Sequence, residues 1–582
     1  MDGTRLVRSL GLLVGVFGSL LARPGGAVEN LDRGLVAIAR PDGSVYIGWR
    51  LLKSDPPETQ FLVFRQEQGE KAFKAVNEEP IGDSTNIVDR TAEAGKTYLY
   101  SVAPSLPVLI RSAPSQVHVS TPARETACIS IPFKGNYVAQ KVAIADLDGD
   151  GALDYIIKQP DFNTDPYQHP GYWKKSEDTY KIEAYRHDGK FLWRYDMGWA
   201  IEEGIWYSPY VVYDVDGDGK AEVYAKAGEG DPREETGHVT TGPEYLVKLD
   251  GETGRVLKKI DWPSREGFEE YNRYCRNFLA VAYLDGKNPS LIVQRGTYGL
   301  IKMLAYDGAG LRPQAASPLW RWQADGSDES YRGQGSHGFN AADVDGDGRD
   351  ELVYGSACID EYGKPLWNTG KGHPDFVYVA DVDPERPGLE VFYGMETRQK
   401  KGGVCLVDAR TGQIIWENPE PTRHIHGQGL CADIDPDHPG MECYGKERDS
   451  DDSWLYSAKG ERLLDKPLNG CTLRAIWWDG TPQKSLVIGG RIHRYKGETQ
   501  GRIEGRVISI ADCLGDWREE IITSVPGELR IYTTTIPAST RRTCLMQDRQ
   551  YRTQAAVESM GYYYPPQLGL EGHSAAAANK TR

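Results

Sequence analysis

The sequence predicts an all-β protein in which an eight-bladed β-propeller follows a small fibronectin-III-like β-sandwich. Three observations lead to this prediction. The 582-residue chain contains 65 glycines and 34 prolines, which favour the tight turns that connect short strands. Residues 28–123 contain short runs in which apolar and polar side chains alternate. From about residue 130 onward, one strand–turn–strand unit recurs eight times.

The first 27 residues have the pattern of a secretory signal peptide. Arg5 and Arg8 precede an apolar run at 10–22, and small residues follow at 25–27. A membrane anchor is the alternative, but this run is shorter than the roughly 20 apolar residues that span a bilayer. We therefore expect a secreted or periplasmic protein that has no membrane association once residues 1–27 are removed.

Residues 28–123 are expected to form the β-sandwich. The runs at 44–49, 61–64 and 98–102 alternate in hydrophobicity, and turns rich in Pro, Gly and Asp separate them. A proline-containing segment near residue 122 marks the end of this region. At the other end of the chain, residues 571–582 are expected to form a disordered tail.

The repeated unit defines the predicted propeller, at 130–570. A strand–turn–strand unit cannot bury its faces alone, so the eight units must stack against one another. A β-solenoid and a pair of sandwiches are the alternatives. The unequal spacing of the turns, with long insertions in the early units, favours the propeller. The units are 142–158, 211–226, 279–296, 339–356, 377–394, 429–445, 473–490 and 507–524.

Three of the turns share the sequence Asp-x-Asp-Gly-Asp-Gly and have a further acid shortly afterwards. Alternate carboxylates in a tight glycine-containing loop form the all-oxygen shell that calcium prefers. The spacing differs from that of an EF-hand, and strands rather than helices flank the loop. The predicted calcium ligands are Asp146, Asp148, Asp150 and Asp154; Asp214, Asp216, Asp218 and Glu222; and Asp343, Asp345, Asp347 and Glu351.

Three later turns keep fewer carboxylates, and two of them have the sequence Asp-x-Asp-Pro. We expect these turns also to bind calcium, in a role that braces the strands rather than in catalysis. Their predicted ligands are Asp381, Asp383 and Glu390; Asp433, Asp435 and Glu442; and Asp512, Asp516 and Glu520.

Several histidines lie a few residues before an acidic turn. In a propeller, the segment that enters the innermost strand lies near the central channel, so these side chains are expected to converge. A metal site or a ring of sugar contacts is the functional interpretation, and the alternative is that each histidine satisfies its own local turn. Because imidazole is less typical of calcium sites, the metal stays open. The residues are His337, His373, His424 and His426, with Asp375 and Glu396 at comparable positions.

The formal net charge of −16 argues against a nucleic-acid partner. Taken alone, it also disfavours an anionic polymer, but carboxylates that bind calcium do not present free negative charge. The nine cysteines show no metal-binding spacing and are interpreted mainly as small buried apolar residues. We expect a monomer.

These features resemble the rhamnogalacturonan lyases of polysaccharide lyase family 11. The resemblance covers nearly the whole mature chain and consists of several motifs in the same order. They are GSVYIGWRLL at 43–52, the acidic turns, GHPDFVYVADVD at 372–383, GDWREEIITS at 515–524, LRIYTTT at 529–535, LMQDRQYR at 545–552 and Tyr-x-x-Pro-Pro at 562–566.

The resemblance implies an eight-bladed propeller with an N-terminal sandwich, several calcium ions and a central cleft. It implies β-elimination at a galacturonate linked to rhamnose, and therefore a secreted, calcium-dependent enzyme whose partner is the acidic polysaccharide rhamnogalacturonan I. Carried over by motif, the central calcium ligands are His337, His373, Asp375 and Glu396. Tyr562 resembles a catalytic residue of the cleft, and Asp161 resembles an acid that contacts substrate.

Two segments depart from the family pattern. Residues 481–484 replace its acidic segment after Trp-Asp-Gly. The family also has an Asn-Gly-Thr-Lys stretch with a catalytic lysine before the last acidic turn. Residues 500–506 contain no lysine. Arg502 and Arg506 are candidates for the positive catalytic role, and Arg541 and Arg542 for binding the substrate carboxylate. The alternative function is a calcium-braced propeller that binds or hydrolyses another acidic glycan.

Overall fold

The computed structural model describes residues 28–105, 111–120, 124–167, 169–311, 317–427, 429–464, 467–468, 470, 472–562 and 565–568. The predicted signal peptide and the predicted tail lie outside these residues. Within them the protein is all-β, as predicted, and its helices are short. The helices are α1 (Tyr271–Tyr274), α2 (Arg549–Val557) and two 3₁₀ helices, Gly326–Tyr331 and Leu545–Gln547.

The N-terminal region contains two sheets that share one apolar core. Its strands are β1 (Val36–Ala39), β2 (Val45–Gly48), β3 (Phe61–Glu67), β4 (Lys74–Ala75), β5 (Asn86–Asp89), β6 (Thr97–Pro104) and β7 (Ser115–His118). The strand orders are β1–β2–β5 and β4–β3–β6–β7. Trp49, Phe61 and Tyr100 are fully buried in the shared core.

Eight four-stranded antiparallel sheets follow. After β8 (Cys128–Pro132), the first sheet contains β9 (Lys141–Ala145), β10 (Asp154–Gln159), β11 (Lys181–Tyr185) and β12 (Phe191–Asp196). The second contains β13 (Tyr210–Tyr213), β14 (Glu222–Gly228), β15 (Glu244–Leu249) and β16 (Val256–Asp261). The third contains β17 (Asn277–Ala282), β18 (Ser290–Arg295), β19 (Lys302–Asp307) and β20 (Trp320–Gln323). The fourth contains β21 (Gly335–Ala342), β22 (Glu351–Gly355), β23 (Ala357–Ile359) and β24 (Pro365–Asn368).

The other four sheets have the same strand order. The fifth contains β25 (Pro374–Ala380), β26 (Glu390–Met395), β27 (Val404–Asp408) and β28 (Ile414–Glu417). The sixth contains β29 (Leu430–Ala432), β30 (Glu442–Lys446), β31 (Ser453–Tyr456) and β32 (Arg462–Leu464). The seventh contains β33 (Arg474–Ile476), β34 (Ser485–Ile488), β35 (Arg491–His493) and β36 (Thr499–Arg502). The eighth contains β37 (Arg506–Ala511), β38 (Glu520–Val525) and β39 (Glu528–Tyr532), and β8 is its fourth strand.

Each predicted strand–turn–strand unit forms the first two strands of one sheet. These strands are buried on both faces, and their sequences are therefore nearly continuous apolar runs, such as YVVY in β13 and NFLAVA in β17. The fourth strands are more exposed: in β16, one residue of six is buried. Burial therefore decreases from the first strand of a sheet to the fourth.

Strands from opposite ends of the repeated region pair with each other. The early strand β8 pairs with the late strand β39 from Cys128 opposite Tyr532 to Pro132 opposite Glu528. In addition, β37 of the eighth sheet contacts β9 of the first. The first strands also contact one another in the pairs β9–β13, β13–β17, β17–β21, β21–β25 and β29–β33.

Helix α2 lies against the first strands of several sheets, namely β9, β13, β17 and β21. Asp548 caps the helix by accepting a hydrogen bond from the backbone amide of Tyr551. Arg552 is completely buried on this helix, and its guanidinium lies 2.6 Å from the carboxylate of Glu29. This ion pair connects the helix to the segment that precedes β1.

The N-terminal region contacts the acidic turn of the eighth sheet. Arg50 donates a 2.6 Å hydrogen bond to the carbonyl oxygen of Cys513, and the Tyr46 hydroxyl donates one of 2.9 Å to Asp516. The eight cysteines in the described part of the chain have free thiols, and seven of them are buried. None of the described helices has both the length and the hydrophobicity that crossing a membrane requires.

We expect replacement of Arg552 with Met to lower the free energy of unfolding by about 3–5 kcal/mol, because the buried carboxylate of Glu29 would lose its cation. Chemical denaturation of the purified protein measures this change. The control is Lys459→Met, which removes an exposed ion pair with Glu385 and should cost about 0–1 kcal/mol. Equal effects of the two substitutions would contradict the assignment.

Candidate active site

Two imidazoles and two carboxylates converge where the fourth and fifth sheets meet. His337 lies on β21, His373 directly precedes β25, Asp375 lies on β25, and Glu396 directly follows β26. The acidic turn of the fourth sheet follows the other end of β21. The cluster and the acidic turns therefore lie at opposite ends of the strands.

One ligand atom from each of these four residues lies within 4.8 Å of the others. Nε2 of His373 lies 2.9 Å from Oε2 of Glu396 and 3.2 Å from Nε2 of His337. Nε2 of His337 lies 3.5 Å from Oδ1 of Asp375 and 3.6 Å from Oε2 of Glu396. The structure thus brings together the four side chains that the sequence placed far apart.

A hydrogen bond to the backbone fixes the ring of His373. Its Nδ1 donates to the carbonyl oxygen of Gly335, so in the neutral ring Nε2 presents a lone pair. In that neutral form the lone pair would face the carboxylate of Glu396, so this contact needs positive charge, either as a second proton on His373, which then donates to Glu396, or as a metal ion. An imidazole fixed through its other nitrogen in this way is the usual arrangement of a histidine metal ligand.

The electrostatic environment favours the ligand forms of these groups. Burial, reinforced by the neighbouring His373, lowers the pKa of His337 to about 4. Burial alone would raise the pKa of Glu396, but hydrogen bonds from His337 and His373 outweigh it and hold this pKa well below its ordinary value. At neutral pH His337 is uncharged and Glu396 is ionised, as metal binding requires.

Asp375 also belongs to a second group, with His424 and His426. Its Oδ2 lies 3.1 Å from Nδ1 of His426, which in turn lies 3.1 Å from Nε2 of His424. Burial lowers the pKa of His424. Burial also acts to lower the pKa of His426, but the hydrogen bond to Asp375 outweighs it and raises that pKa. Asp375 therefore connects the two groups.

An aromatic wall lies against the cluster. The ring of Tyr562 is 4.9 Å from that of His337 and 5.4 Å from that of Trp206, and Trp206 is 4.6 Å from His337. The Tyr298 hydroxyl lies 3.0 Å from Nε2 of His337. Gly561 has a φ of +41°, and a β-carbon there would lie 2.7 Å from the carbonyl oxygen of His337. Glycine therefore permits the approach that places Tyr562 in this wall.

Asp165 and Arg276 contact the aromatic wall and hold Trp206 in place. The Arg276 guanidinium donates two hydrogen bonds to Asp165, of 3.1 and 2.8 Å, and the Trp206 indole donates one of 2.8 Å. Arg276 also lies over the rings of Trp206 and Tyr298. Sequence reasoning missed this pair, because no local pattern marks two residues 111 positions apart.

Lys141 is a further residue that the sequence analysis missed. Its ammonium donates hydrogen bonds of 2.8 Å to the carbonyl of Gly561 and 3.3 Å to that of Met560, just before Tyr562. Burial, with Arg506 as the second cause, lowers the pKa of Lys141 to about 7. The available signal was a charged residue at the start of the otherwise apolar first strand KVAIA.

Asp161 and Arg506, both predicted as site residues, pair with each other beside Lys141. The Arg506 guanidinium donates hydrogen bonds of 2.7 and 3.1 Å to the Asp161 carboxylate. It also donates to the carbonyls of Ala139 and Gln140, directly before Lys141. Both side chains of the pair are partly exposed. Arg506 is therefore a solvent-accessible positive group next to the buried Lys141.

Comparison with known proteins identifies the family. Residues 115–577 match the family model described as rhamnogalacturonan lyase family 11, C-terminal domain. This match covers more than half of the chain. The chain belongs to rhamnogalacturonan lyase family 11. Residues 26–106 match the model described as rhamnogalacturonan I lyases beta-sheet domain. The expectation of a polysaccharide lyase is confirmed at the level of the family.

Individual relatives agree with this family. The chain is 35% identical to rhamnogalacturonan endolyase YesW of Bacillus subtilis (strain 168), over 93% of this chain and 90% of the relative. It is 34% identical to rhamnogalacturonan exolyase YesX of the same organism, over 93% of this chain and 94% of the relative.

Solved structures of family members are also similar. The crystal structure of YesW has a TM-score of 0.83 at 33% identity and covers 93% of this chain and 96% of that one. The rhamnogalacturonan lyase of Bacillus licheniformis has a TM-score of 0.82 at 32% identity, with 93% and 96% covered. The family 11 fold thus extends over nearly the whole described chain.

Three predicted site arginines of this family 11 lyase contact residues outside the cluster. Arg502 lies on β36, the fourth strand of its sheet, and pairs with exposed Glu125 at 3.4 Å. Arg541 donates hydrogen bonds to the carbonyls of Thr59 and Gly82, and so attaches the N-terminal region to the last segment of the chain.

Arg542 lies within 5 Å of two tryptophan rings, those of Trp477 and Trp517. Burial lowers the pKa of this guanidinium, although Asp433 and Glu519 act to raise it. Arg541 contacts the backbone of the N-terminal region, and Arg542 lies over two tryptophan rings. Substrate binding by these two residues and a catalytic role of Arg502 stay predictions.

The three Asp-x-Asp-Gly-Asp-Gly turns each bring three carboxylates together. The groups are Asp146, Asp148 and Asp154; Asp214, Asp216 and Asp218; and Asp343, Asp345 and Asp347. Three oxygen donors from a glycine-containing loop fit a hard cation such as calcium. Of the predicted ligands, Asp150, Glu222 and Glu351 do not belong to these close groups. Glu351 instead accepts a 2.8 Å hydrogen bond from the backbone amide of Val344.

In two of the other acidic turns the last carboxylate accepts backbone hydrogen bonds, as Glu351 does. Glu390 accepts from the amides of Val382 and Asp383, and Glu442 from those of Ile434 and Asp435. These turns form none of the close three-carboxylate groups found among the described residues. The predicted calcium ligands Asp381, Asp383 and Glu390, and Asp433, Asp435 and Glu442, stay predictions.

Protein cations already contact two of these later turns. Lys496 lies 2.8 Å from Asp435 in the sixth sheet. In the eighth sheet, Arg518 lies 2.8 Å from Asp516. A lysine or arginine therefore supplies part of the positive charge that calcium was predicted to provide there.

Calcium at the cluster is a prediction, and under it Glu396→Gln should weaken calcium binding there by at least about tenfold, because even outer-shell partners of a metal site commonly contribute that much. Calorimetric titration of the chelator-treated protein measures this affinity. The control is His118→Ala on β7, where His118 contacts Thr97. An unchanged affinity in Glu396→Gln would show that this carboxylate is not a ligand.

Lys141 should make the stability of the protein depend on pH. Because its folded pKa is about 7 and its ordinary value is 10.5, the unfolded chain binds more protons between these values. The unfolding free energy of the wild type should therefore rise relative to Lys141→Met by about 1.4 kcal/mol per pH unit above pH 7.

Denaturation at several pH values between about 7 and 9 measures this difference, and the slope follows from the same linkage relation. The exposed substitution Lys74→Met should give a profile parallel to that of the wild type. A profile of Lys141→Met that is also parallel to the wild type would contradict the depressed pKa.

Proposed function

We propose that this chain is a secreted, calcium-dependent polysaccharide lyase that cleaves rhamnogalacturonan I by β-elimination. The observation that carries the proposal is the cluster of buried His337, His373 and Asp375 with partly buried Glu396, against which Tyr562 lies. Membership of the family and the names of the two Bacillus relatives support the substrate. The signal-like residues 1–27 support export to the periplasm or the medium.

We also propose that the eight sheets form an eight-bladed propeller over 130–570 and that 28–123 form a fibronectin-III-like sandwich. The contacts between successive first strands, and between β37 and β9, support a closed ring. The pairing of β8 with β39 supports closure in which the eighth sheet combines one strand from the start of the repeated region with three strands from its end. In this arrangement helix α2 lies near the axis and the cluster at one mouth of the ring.

The two carboxylates of the cluster and the unprotonated imidazole of His337 are suitable ligands for a calcium ion. The residues of the cluster would hold the ion, which supplies positive charge for the carboxylate of a bound uronate and for the enolate-like charge that develops there. Arg506, partly exposed beside Asp161, provides a second positive group at the same end of the sheets. Together these groups favour an anionic sugar over a neutral one.

β-Elimination breaks the C5–H and C4–O bonds and forms the C4=C5 double bond, so one proton passes from C5 to a basic group of the cleft and another reaches the leaving oxygen. Tyr562 is proposed to supply the proton that the leaving sugar oxygen takes up. Burial, with Asp375 as the next cause, raises the pKa of Tyr562 well above its ordinary value. The phenol oxygen therefore keeps its proton at neutral pH and can donate it as the bond to the leaving oxygen breaks. Lys141 holds the carbonyl of Gly561 and so fixes the backbone from which this side chain projects.

Incubation of the mature protein with rhamnogalacturonan I tests the reaction. We expect a rise in ultraviolet absorbance from the unsaturated uronate, abolished by a chelator and restored by calcium. New reducing ends without this absorbance would indicate a hydrolase instead. No cleavage by the folded, calcium-loaded protein would indicate a binding protein or a different uronate substrate.

The substitution Tyr562→Phe tests the assigned proton donor. We expect kcat to fall by about 10²–10⁴-fold with KM nearly unchanged, because the ring stays against Trp206 and His337 while the proton is lost. The matched control is Tyr362→Phe, since Tyr362 is 57% exposed and its hydroxyl contacts Arg349. Full activity in Tyr562→Phe would exclude the hydroxyl from the reaction.

A further inference from the structure

The second of the three Asp-x-Asp-Gly-Asp-Gly turns differs from the other two in its surroundings. Its aspartates approach one another as closely as those of the first and fourth sheets. The spacing of the carboxylates therefore does not distinguish the three turns. The difference is a lysine, Lys248, which comes from the third strand of the same sheet.

We propose that the acidic turn of the second sheet binds no calcium ion and that the ammonium of Lys248 takes the place of the ion. Nζ of Lys248 lies 2.6 Å from Oδ2 of Asp216 and 2.7 Å from Oε1 of Glu222. These two acids were predicted as ligands from opposite ends of the turn. The lysine therefore bridges the turn as a cation would.

Because Lys248 and Glu222 are both buried, their ion pair is difficult to replace by contacts with water. The side chain of Lys248 is 6% exposed and that of Glu222 is 8% exposed. A buried ammonium must have anionic or hydrogen-bonding partners, and Asp216 and Glu222 supply them. The other oxygen of Glu222 accepts a 2.9 Å hydrogen bond from the hydroxyl of Tyr224. A divalent cation at the same carboxylates would meet the positive charge of Lys248 at close range.

Strand register shows that the lysine is peculiar to this sheet. Lys248 on β15 is the partner of Tyr224, which lies two residues after Glu222. In the first sheet the equivalent partner of Ile156 is Ala184, and in the fourth sheet the equivalent partner of Val353 is Cys358.

The other sheets with an acidic turn agree with this comparison. The equivalent residues are Leu406 in the fifth sheet, Leu455 in the sixth and Ile531 in the eighth. Among the six equivalent positions, Lys248 is therefore the one cation. The lysine stands where five other sheets have an uncharged side chain.

The other two turns of the same sequence have looser cationic neighbours. In the first sheet, Nδ1 of His187 lies 3.4 Å from Asp154 and 3.9 Å from Asp150. In the fourth sheet, Arg349 lies 4.0 Å from Asp347, and both side chains are exposed. Neither group bridges two acids of its turn in the interior. These turns keep the geometry of a calcium site without an internal replacement.

Counting bound ions tests the proposal independently of any lyase activity. The full-length mature protein, equilibrated with calcium and desalted, is analysed by native mass spectrometry. We expect Asp148→Asn and Asp345→Asn each to lose one calcium ion and Asp216→Asn to lose none. We expect Lys248→Ala, which copies the residue of the first sheet, to gain one. Loss of an ion in Asp216→Asn would overturn the proposal.

The gain in Lys248→Ala tests the role of the lysine itself. If this variant is folded in calcium and binds no additional ion, the assignment of the exclusion to Lys248 is wrong. Lys248→Met provides a second variant that keeps the apolar stem of the side chain. Circular dichroism and elution volume establish folding for both.

Hydrogen exchange on the wild type tests the same point without a substitution. The amides of Gly217 and Gly219 donate to Asp214, as those of Gly149 and Gly151 donate to Asp146 in the first sheet. On addition of a chelator, we expect the first turn to lose protection while the second keeps it. Equal loss of protection in the two turns would overturn the proposal.

Discussion

The convergence of the first strands of successive sheets is the constraint on which the rest of the structure depends. The first strands of most neighbouring sheets contact one another, and the pairing of β8 with β39 joins the two ends of the repeated region. Residues that precede or begin these strands therefore share one end of the assembly. His337 and His373 meet for this reason, although they belong to different sheets.

Helix α2 links the converging first strands to the candidate active site. The helix contacts the first strands of four sheets, and the chain then turns through Gly561 to place Tyr562 against His337. Lys141 holds this turn from the first sheet. The position of the phenol thus depends on three separated parts of the sequence, and the buried pair of Arg552 and Glu29 fixes the helix that brings them together.

The acidic character of the chain has a local explanation in the turns. Carboxylates there accept hydrogen bonds from backbone amides, as Asp146 does from Gly149 and Gly151, and so stiffen the connection between two strands. The remaining negative charge requires a cation, and different sheets meet this requirement in different ways. Protein cations such as Lys248 and Lys496 contact some turns, whereas others retain a set of oxygens suited to calcium.

The periodic residues determined the elements of the fold from sequence alone. Apolar runs on either side of an acidic turn predict two antiparallel strands because the pattern is local, and all eight such units form strands as predicted. Likewise, the equivalent positions of His337 and His373 before their turns predicted that they would meet. Residues at the same position of different repeats occupy equivalent places in the fold even when they are far apart in sequence. These side chains could therefore be identified without a structure.

Only the tertiary structure decided which other side chains join them. Asp165 with Arg276, and Lys141 with Gly561, are contacts between segments that share no repeat position, so no spacing in the sequence marks them. Arg541 and Lys248 show the same limit: one contacts the N-terminal region, and the other bridges an acidic turn from a neighbouring strand. The sequence specified each residue's charge, but packing and strand register determined its partner, because a partner depends on positions that are distant along the chain.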